Sequence, residues 1–189
     1  MKQKQVVEWL EKSENRKSII THLKQPMTAL QLTKYTGLSL DQCSMLLGQL
    51  TLCRLVKCLN PTAKRSRLYW LTPIGILCQR KLRNDKNLPS IAKNLPDTDW
   101  ELYGWLCYSH RAAIIRTLTE PMQPATIKRK AVQQNPQMKM SANNVRDVIK
   151  LFLQKGLVRK VIAKRKVHPK YELTQQGIQL KNILTEAGV

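Results

Sequence analysis

Asn143, Asn144, Arg146 and Lys150 open the segment SANNVRDVIKLFLQKG, and Lys164, Arg165, Lys166, His168 and Lys170 crowd into KRKVHPK a short way downstream. Amide, guanidinium and ammonium groups donate and accept hydrogen bonds in the patterns that base edges and phosphates offer, and none of them is a nucleophile. Catalysis asks for different residues. His22, His110 and His168 are far apart in the sequence and the 12 acids are scattered, so no histidine, cysteine or paired carboxylate is set up for nucleophilic or acid–base chemistry. The chain is therefore expected not to be an enzyme. Its five cysteines, Cys43, Cys53, Cys58, Cys78 and Cys107, are odd in number and contain no Cys-x-x-Cys pair. They read as reduced core thiols, with no metal site and no cofactor expected.

The charge balance names the class of partner. Lys and Arg total 33 against 12 Asp and Glu, a formal +21. Residues 1–98 hold 17 basic and 6 acidic side chains (+11), and residues 99–189 hold 16 and 6 (+10), so the excess belongs to both halves rather than to a tail. Such self-repulsion is the footprint of a polyanion partner, nucleic acid foremost; attraction to a membrane surface or a cation-rich proteome are the alternatives. A hydrophobic content of 42% is too high for a disordered chain. The N-terminal MKQKQVVEWLEKSENRK interrupts its apolar residues with charges, and no apolar run reaches membrane-spanning length, so a cytoplasmic, nucleoid-associated protein without membrane contact is expected.

The elements that must carry these residues occur twice. IITHLKQPM at 19–27 returns as IIRTLTEPM at 114–122: subtracting 95 places Ile114 on Ile19, Leu118 on Leu23 and Pro121 on Pro26. Further along the offset is 102, since Leu157, Val158, Tyr171, Leu173, Thr174 and Gly177 fall on Leu55, Val56, Tyr69, Leu71, Thr72 and Gly75. The change of offset places seven extra residues around VQQNPQMKM, in the turn between two helices of the second copy. Duplication of one module predicts a first domain at 1–83, a linker at 84–98 carrying two Leu-Pro pairs, and a second domain at 99–189.

Within each copy the order reads helix, short strand, helix, turn, helix, strand, loop, strand, helix, a mainly α fold with small β-hairpin wings (α+β). Pro26 ends the first helix, Gly37 stops the next, and Ser39 caps SLDQCSMLLGQL, whose Cys43, Leu46, Leu47 and Leu50 form one apolar stripe. Thr72 caps the last helix, with Pro73 at its first position. In the second copy Ser141 caps a helix whose inner face is Val145, Val148, Ile149, Phe152 and Leu153, leaving Asn143, Asn144, Arg146 and Lys150 outward. The aromatic helix Trp100–Tyr108, with Trp100, Tyr103, Trp105 and Tyr108, reads as domain packing or linker docking ahead of base stacking, or as a homodimer contact.

The run LxxxxLVxxx, a basic loop, then YxLTxxGxxL stands as LCRLVKCLNPTAKRSRLYWLTPIGIL and again as FLQKGLVRKVIAKRKVHPKYELTQQGIQL. It resembles the back half of prokaryotic winged helix-turn-helix transcriptional regulators, and the two copies cover nearly the whole chain. The resemblance implies a recognition helix that reads the major groove of double-stranded DNA and a hairpin tip that touches phosphate or minor groove. The implied reading residues are Asn143, Asn144, Arg146 and Lys150, with Gln42, Ser44 and Gln49 in the first copy. The implied backbone contacts are Lys164, Arg165, Lys166, His168 and Lys170, with Lys64, Arg65, Arg67, Lys128 and Arg129. Two winged helices in one chain imply half-sites roughly 34 Å apart. A plasmid or viral replication initiator and a tandem winged-helix interaction scaffold are the competing readings. In the first copy the outward face, Asp41, Gln42, Ser44, Met45 and Gln49, lacks any Arg or Lys, which makes it the weaker reader or a partner contact.

Overall fold

The computed structural model describes residues 3–83, 95, 97–161 and 168–187. Among these the chain is mainly helical with small antiparallel sheets, and it divides into two compact units, Met1–Trp105 and Leu106–Val189. The division falls inside a helix that starts at Trp100. Of the 84–98 segment read as a linker, residues 84–94 and 96 lie outside the described residues, as does 162–167 with Lys164, Arg165 and Lys166.

In the first unit Ser13 breaks an amphipathic run into α1 (Gln3–Glu11) and α2 (Glu14–His22), its hydroxyl accepting from the Arg16 amide at 3.4 Å. The Arg16 guanidinium then clamps the corner. It lies 4.0 Å from the Trp9 ring centroid and donates to the Trp9 carbonyl at 3.0 Å. β1 (Met27–Thr28) leads into α3 (Ala29–Thr36), where Thr28 and Gln31 form a capping box, and Gly37 ends the helix at φ +71°. α4 (Leu40–Leu52) follows after a short turn, capped by Ser39, with Cys43, Leu46, Leu47 and Leu50 all buried. β2 (Val56–Cys58) and β3 (Leu68–Leu71) complete a sheet of order β1-β3-β2, with Met27 opposite Tyr69 and Val56 opposite Leu71. α5 (Pro73–Arg83) closes the unit against α1 and α2. Its buried Gln79 donates from Nε2 to the carbonyls of Ile20 at 2.7 Å and Leu23 at 3.1 Å, satisfying groups that the end of α2 leaves open.

α6 (Trp100–Leu106) docks its first-unit residues on the β2–β3 hairpin. Glu101 accepts from the Thr62 amide at 3.3 Å, and a Cβ at Gly104 would stand 2.1 Å from Asn60 Nδ2. Asn60 is fully buried; its Oδ1 accepts from the Leu68 amide at 2.6 Å and its Nδ2 donates to the Ser66 carbonyl at 3.1 Å. Tyr103 is buried here, and Trp100 and Trp105 are half-buried.

The second unit runs α7 (Ser109–Thr117), α8 (Pro124–Gln134), α9 (Ala142–Gln154), β4 (Val158–Val161), β5 (Lys170–Leu173) and α10 (Gln175–Glu186). β4 and β5 pair antiparallel with Val158 opposite Leu173. Met122 exchanges backbone hydrogen bonds of 2.9 and 2.8 Å with Tyr171, a single bridge at the place held in the first unit by β1. Ile114, Ile115, Ile127, Val145, Ile149, Phe152, Leu157 and Leu184 make its core. Leu153, expected on the inner face of α9, is instead 38% exposed. At 100° per residue Leu153 lies about 80° around the helix from Val145, beyond the narrow arc that Val145, Ile149 and Phe152 occupy.

The two units share backbone detail. The Thr72 hydroxyl donates to the Arg54 carbonyl at 2.7 Å and accepts from the Gly75 amide at 3.1 Å; the Thr174 hydroxyl donates to Gly156 at 2.6 Å and accepts from Gly177 at 3.2 Å. A Cβ at Gly75 would lie 2.0 Å from the Leu55 carbonyl oxygen, and one at Gly177 would lie 2.1 Å from that of Leu157. The seven extra residues of the second unit split unequally. α8 has 11 residues where α3 has 8, and residues 135–141 link α8 to α9 where residues 37–39 link α3 to α4, so three of the seven extra residues extend the helix and four the turn.

Candidate nucleic-acid interface

The outer face of α9 is built from its cap outward. Ser141 accepts from the Asn144 amide at 3.1 Å, which starts the helix, and the same hydroxyl donates to Asn144 Oδ1. Asn143, Asn144, Arg146 and Lys150 are all exposed, opposite the buried Val145, Ile149 and Phe152. Asn143, Arg146 and Lys150 share one stripe, spaced i, i+3, i+7, and Asn144 stands to its side. Arg146 donates to Asn143 Oδ1 at 3.2 Å, which lays the guanidinium along the helix. Asp147 also lies on this stripe, 3.7 Å from the Lys150 ammonium. Both partners are largely exposed, so water screens the pair and it contributes little to stability.

Arg146, Lys150 and His168 meet around a cavity of about 350 Å³ that lies between α8, α9 and the start of β5. Ile149, Gln123, Pro124, Ala125, Pro169 and Tyr171 line the rest of it. α8 begins at this cavity with Pro124 in its first turn, and Gln123 gives no side-chain cap to the amides that follow. Lys170 is exposed on β5, Arg129 is exposed on α8, and Lys128 is half-buried; none of these lines the cavity. Arg159 donates to Glu172 at 2.7 Å across the β4–β5 pair, which directs that guanidinium along the hairpin. Lys181 donates to the Leu118 carbonyl at 2.9 Å and burial pushes its pKa down, so this cation serves the packing of the unit.

On the first unit the residues expected to read bases are largely engaged with their own helix. Gln42 Oε1 accepts from the Ser39 amide at 2.9 Å, and Ser44 donates to the Leu40 carbonyl at 2.8 Å. Gln49 is half-buried with its Oε1 turned inward. Three apolar side chains of α4 are exposed, Met45 at 58%, Leu52 at 86% and Leu40 at 47%, beside the exposed Asp41, Gln42, Ser44 and Thr51. Lys64, Arg65 and Arg67 are exposed in the β2–β3 loop, where Arg67 Nε donates to the Ala63 carbonyl at 3.1 Å and Ser66 takes φ +53°.

No protein-family model matches this chain, and no curated protein matches it.

Asp147 and the apolar cavity wall are features that sequence reasoning missed. The Asp147–Lys150 pair was readable from helical spacing alone. Pro124, Ile149 and Pro169 come from separate elements, and no local pattern brings them together. Among the described residues no group of three or more His, Cys, Asp and Glu side chains is placed to hold a metal ion, and no helix is long and apolar enough to cross a membrane.

Proposed function

We propose that the chain binds double-stranded DNA with sequence preference, as a cytoplasmic, nucleoid-associated transcriptional regulator built of two tandem winged helix-turn-helix domains related by duplication. The observation that carries the reading is the exposed stripe Asn143, Arg146 and Lys150 on a capped helix of a chain with formal charge +21. A helix fits the roughly 12 Å major groove, where arginine pairs with guanine and asparagine with adenine. α9 is the reading helix, and Lys170, His168, Lys128 and Arg129 hold phosphate on either side. The matched threonine turns and glycine contacts of the two units support the duplication, since backbone detail of this kind is kept by descent more readily than surface residues are.

The test is a titration of labelled duplex, selected from random oligonucleotides, at several salt concentrations. The logarithm of affinity is expected to fall linearly with the logarithm of salt, with slope about −0.9 for each phosphate neutralised. A flat response overturns the reading. Arg146→Ala is expected to cost about 1–3 kcal/mol on the selected sequence and much less on random duplex, whereas Lys170→Ala weakens both alike. Equal losses from Arg146→Ala on every sequence would remove base reading from α9. Sites at origin repeats rather than promoters would favour a replication initiator.

The exposed Met45 and Leu52 of α4 favour a different role for the first unit. Met45 and Leu52 lie on one stripe with no basic side chain, a surface suited to a protein partner. In that reading the second unit reads DNA and the first recruits. A gel shift on the selected sequence weakened by Arg146→Ala and left unchanged by Met45→Ser is the expected pattern.

A further inference from the structure

We infer that the cavity beside α9 in the second unit is a binding site for a small organic anion with an apolar body, of which an aryl carboxylate is the simplest example, and that this ligand competes with DNA. The competition rests on the DNA-binding reading; the binding itself does not. At about 350 Å³ the cavity is of ligand size, near the lower end of small-molecule pockets. Its walls divide by chemistry. Ile149, Pro124 and Tyr171 supply an apolar surface, and Arg146, Lys150 and His168 supply nitrogen donors around the same cavity.

Three classes of occupant can be compared on that wall. Inorganic phosphate, or a phosphate of the DNA backbone, satisfies the nitrogen donors and leaves the apolar wall against water. A neutral apolar molecule covers the wall and strips water from the charged groups without replacing its hydrogen bonds, which is costly. An aryl carboxylate does both: its ring lies on Ile149, Pro124 and Tyr171 while its carboxylate takes the planar fork of Arg146. The carboxylate of Asp147 is engaged with Lys150 at 3.7 Å, so the incoming anion competes with it for that ammonium. Arg146 belongs both to this site and to the stripe that faces DNA, so the two ligands are mutually exclusive at that side chain.

The test uses the full chain labelled with ¹⁵N and titrated with sodium benzoate at constant ionic strength, with benzamide as the neutral isostere. Saturable shifts of the Arg146, Lys150 and Tyr171 amides are expected, with a Kd on the order of 1 mM for so small a ligand, and benzamide at least about tenfold weaker. Ala125→Trp, an exposed position of α8 at the mouth of the cavity, is expected to abolish the benzoate shifts with the rest of the spectrum kept. Should that variant fail to fold, Arg146→Gln, also exposed, is expected to weaken benzoate about tenfold. Shifts that do not saturate, or that benzamide reproduces equally, overturn the site whatever the DNA titration shows. With the site occupied tenfold above its Kd, apparent DNA affinity is expected to fall about tenfold at matched salt. Benzoate that binds and leaves DNA affinity unchanged overturns the competition and leaves the site.

Discussion

Adding one methyl group at Gly177 tests the packing of the second unit at its tightest point. The ideal Cβ falls 2.1 Å from the Leu157 carbonyl oxygen and 3.2 Å from a Leu173 methyl carbon. The oxygen is backbone and already accepts from the Thr174 amide at 3.0 Å, so relief requires α10 to move away from the α9–β4 connection and stretch that bond. Overpacking costs about 1–3 kcal/mol, and a clash against backbone belongs at the upper end. Alanine recovers at most about 1 kcal/mol of helix propensity, less in a first turn. The net expectation for Gly177→Ala is a loss of about 2 kcal/mol, equivalent to a urea midpoint lower by about 1 M for a small domain. Gly75→Ala is its counterpart in the first unit, with the Leu55 oxygen at 2.0 Å. Gly48→Ala is the control of opposite sign. Nothing lies within 4 Å of its added carbon, and it sits inside α4, so a gain of about 0.5–1 kcal/mol is expected. Far-UV circular dichroism follows both units, and tryptophan fluorescence follows the first, which holds Trp9, Trp70, Trp100 and Trp105. A Gly177→Ala midpoint at or above that of the parent chain would refute the argument, because it would mean that the carbonyl contact yields without cost.

Two further substitution and labelling experiments follow from burial. Asn60→Ala removes the acceptor for the Leu68 amide and the donor to the Ser66 carbonyl, both inside the hairpin, and should lower stability by about 1–3 kcal/mol in denaturant titration; an unchanged midpoint would show that water satisfies both groups. All five cysteines stand outside disulfides, and they should fall into classes with a disulfide reagent: Cys53, Cys58 and Cys107, half-buried, react first in the native chain, while Cys43 and Cys78 wait for unfolding. Burial pushes the Cys78 thiol above its ordinary range by more than Lys81 pulls it down, so the thiolate that reacts is scarcer there still; early labelling of Cys78 would contradict its place on the buried face of α5.

Local chemistry was legible because it depends on neighbours in the chain. Ser39 and Ser141 cap α4 and α9, Gly37 takes the left-handed conformation, and Thr72 starts α5, each from a pattern a few residues long. The buried stripe Cys43, Leu46, Leu47 and Leu50 follows from helical period in the same way. Leu153 escaped that reading because a period says which residues share a side of the helix and not how wide an arc the neighbours cover. Gln42 and Ser44 escaped it because an outward polar residue has two uses, and only coordinates show the side chain folded back on its own helix turn.

By itself, then, the sequence determined the order of elements, their caps and the excess of positive charge, all of which are properties of short segments or of composition. Only the tertiary structure decided which side chains meet. Arg146 and His168 reach one cavity because β5 pairs with Met122 at the entry to α8 and α9 packs beside it, and Gly104 is tied to Asn60 because α6 returns to the hairpin. Those juxtapositions are set by backbone pairing and core packing between residues distant along the chain, and a linear pattern carries no distance between them.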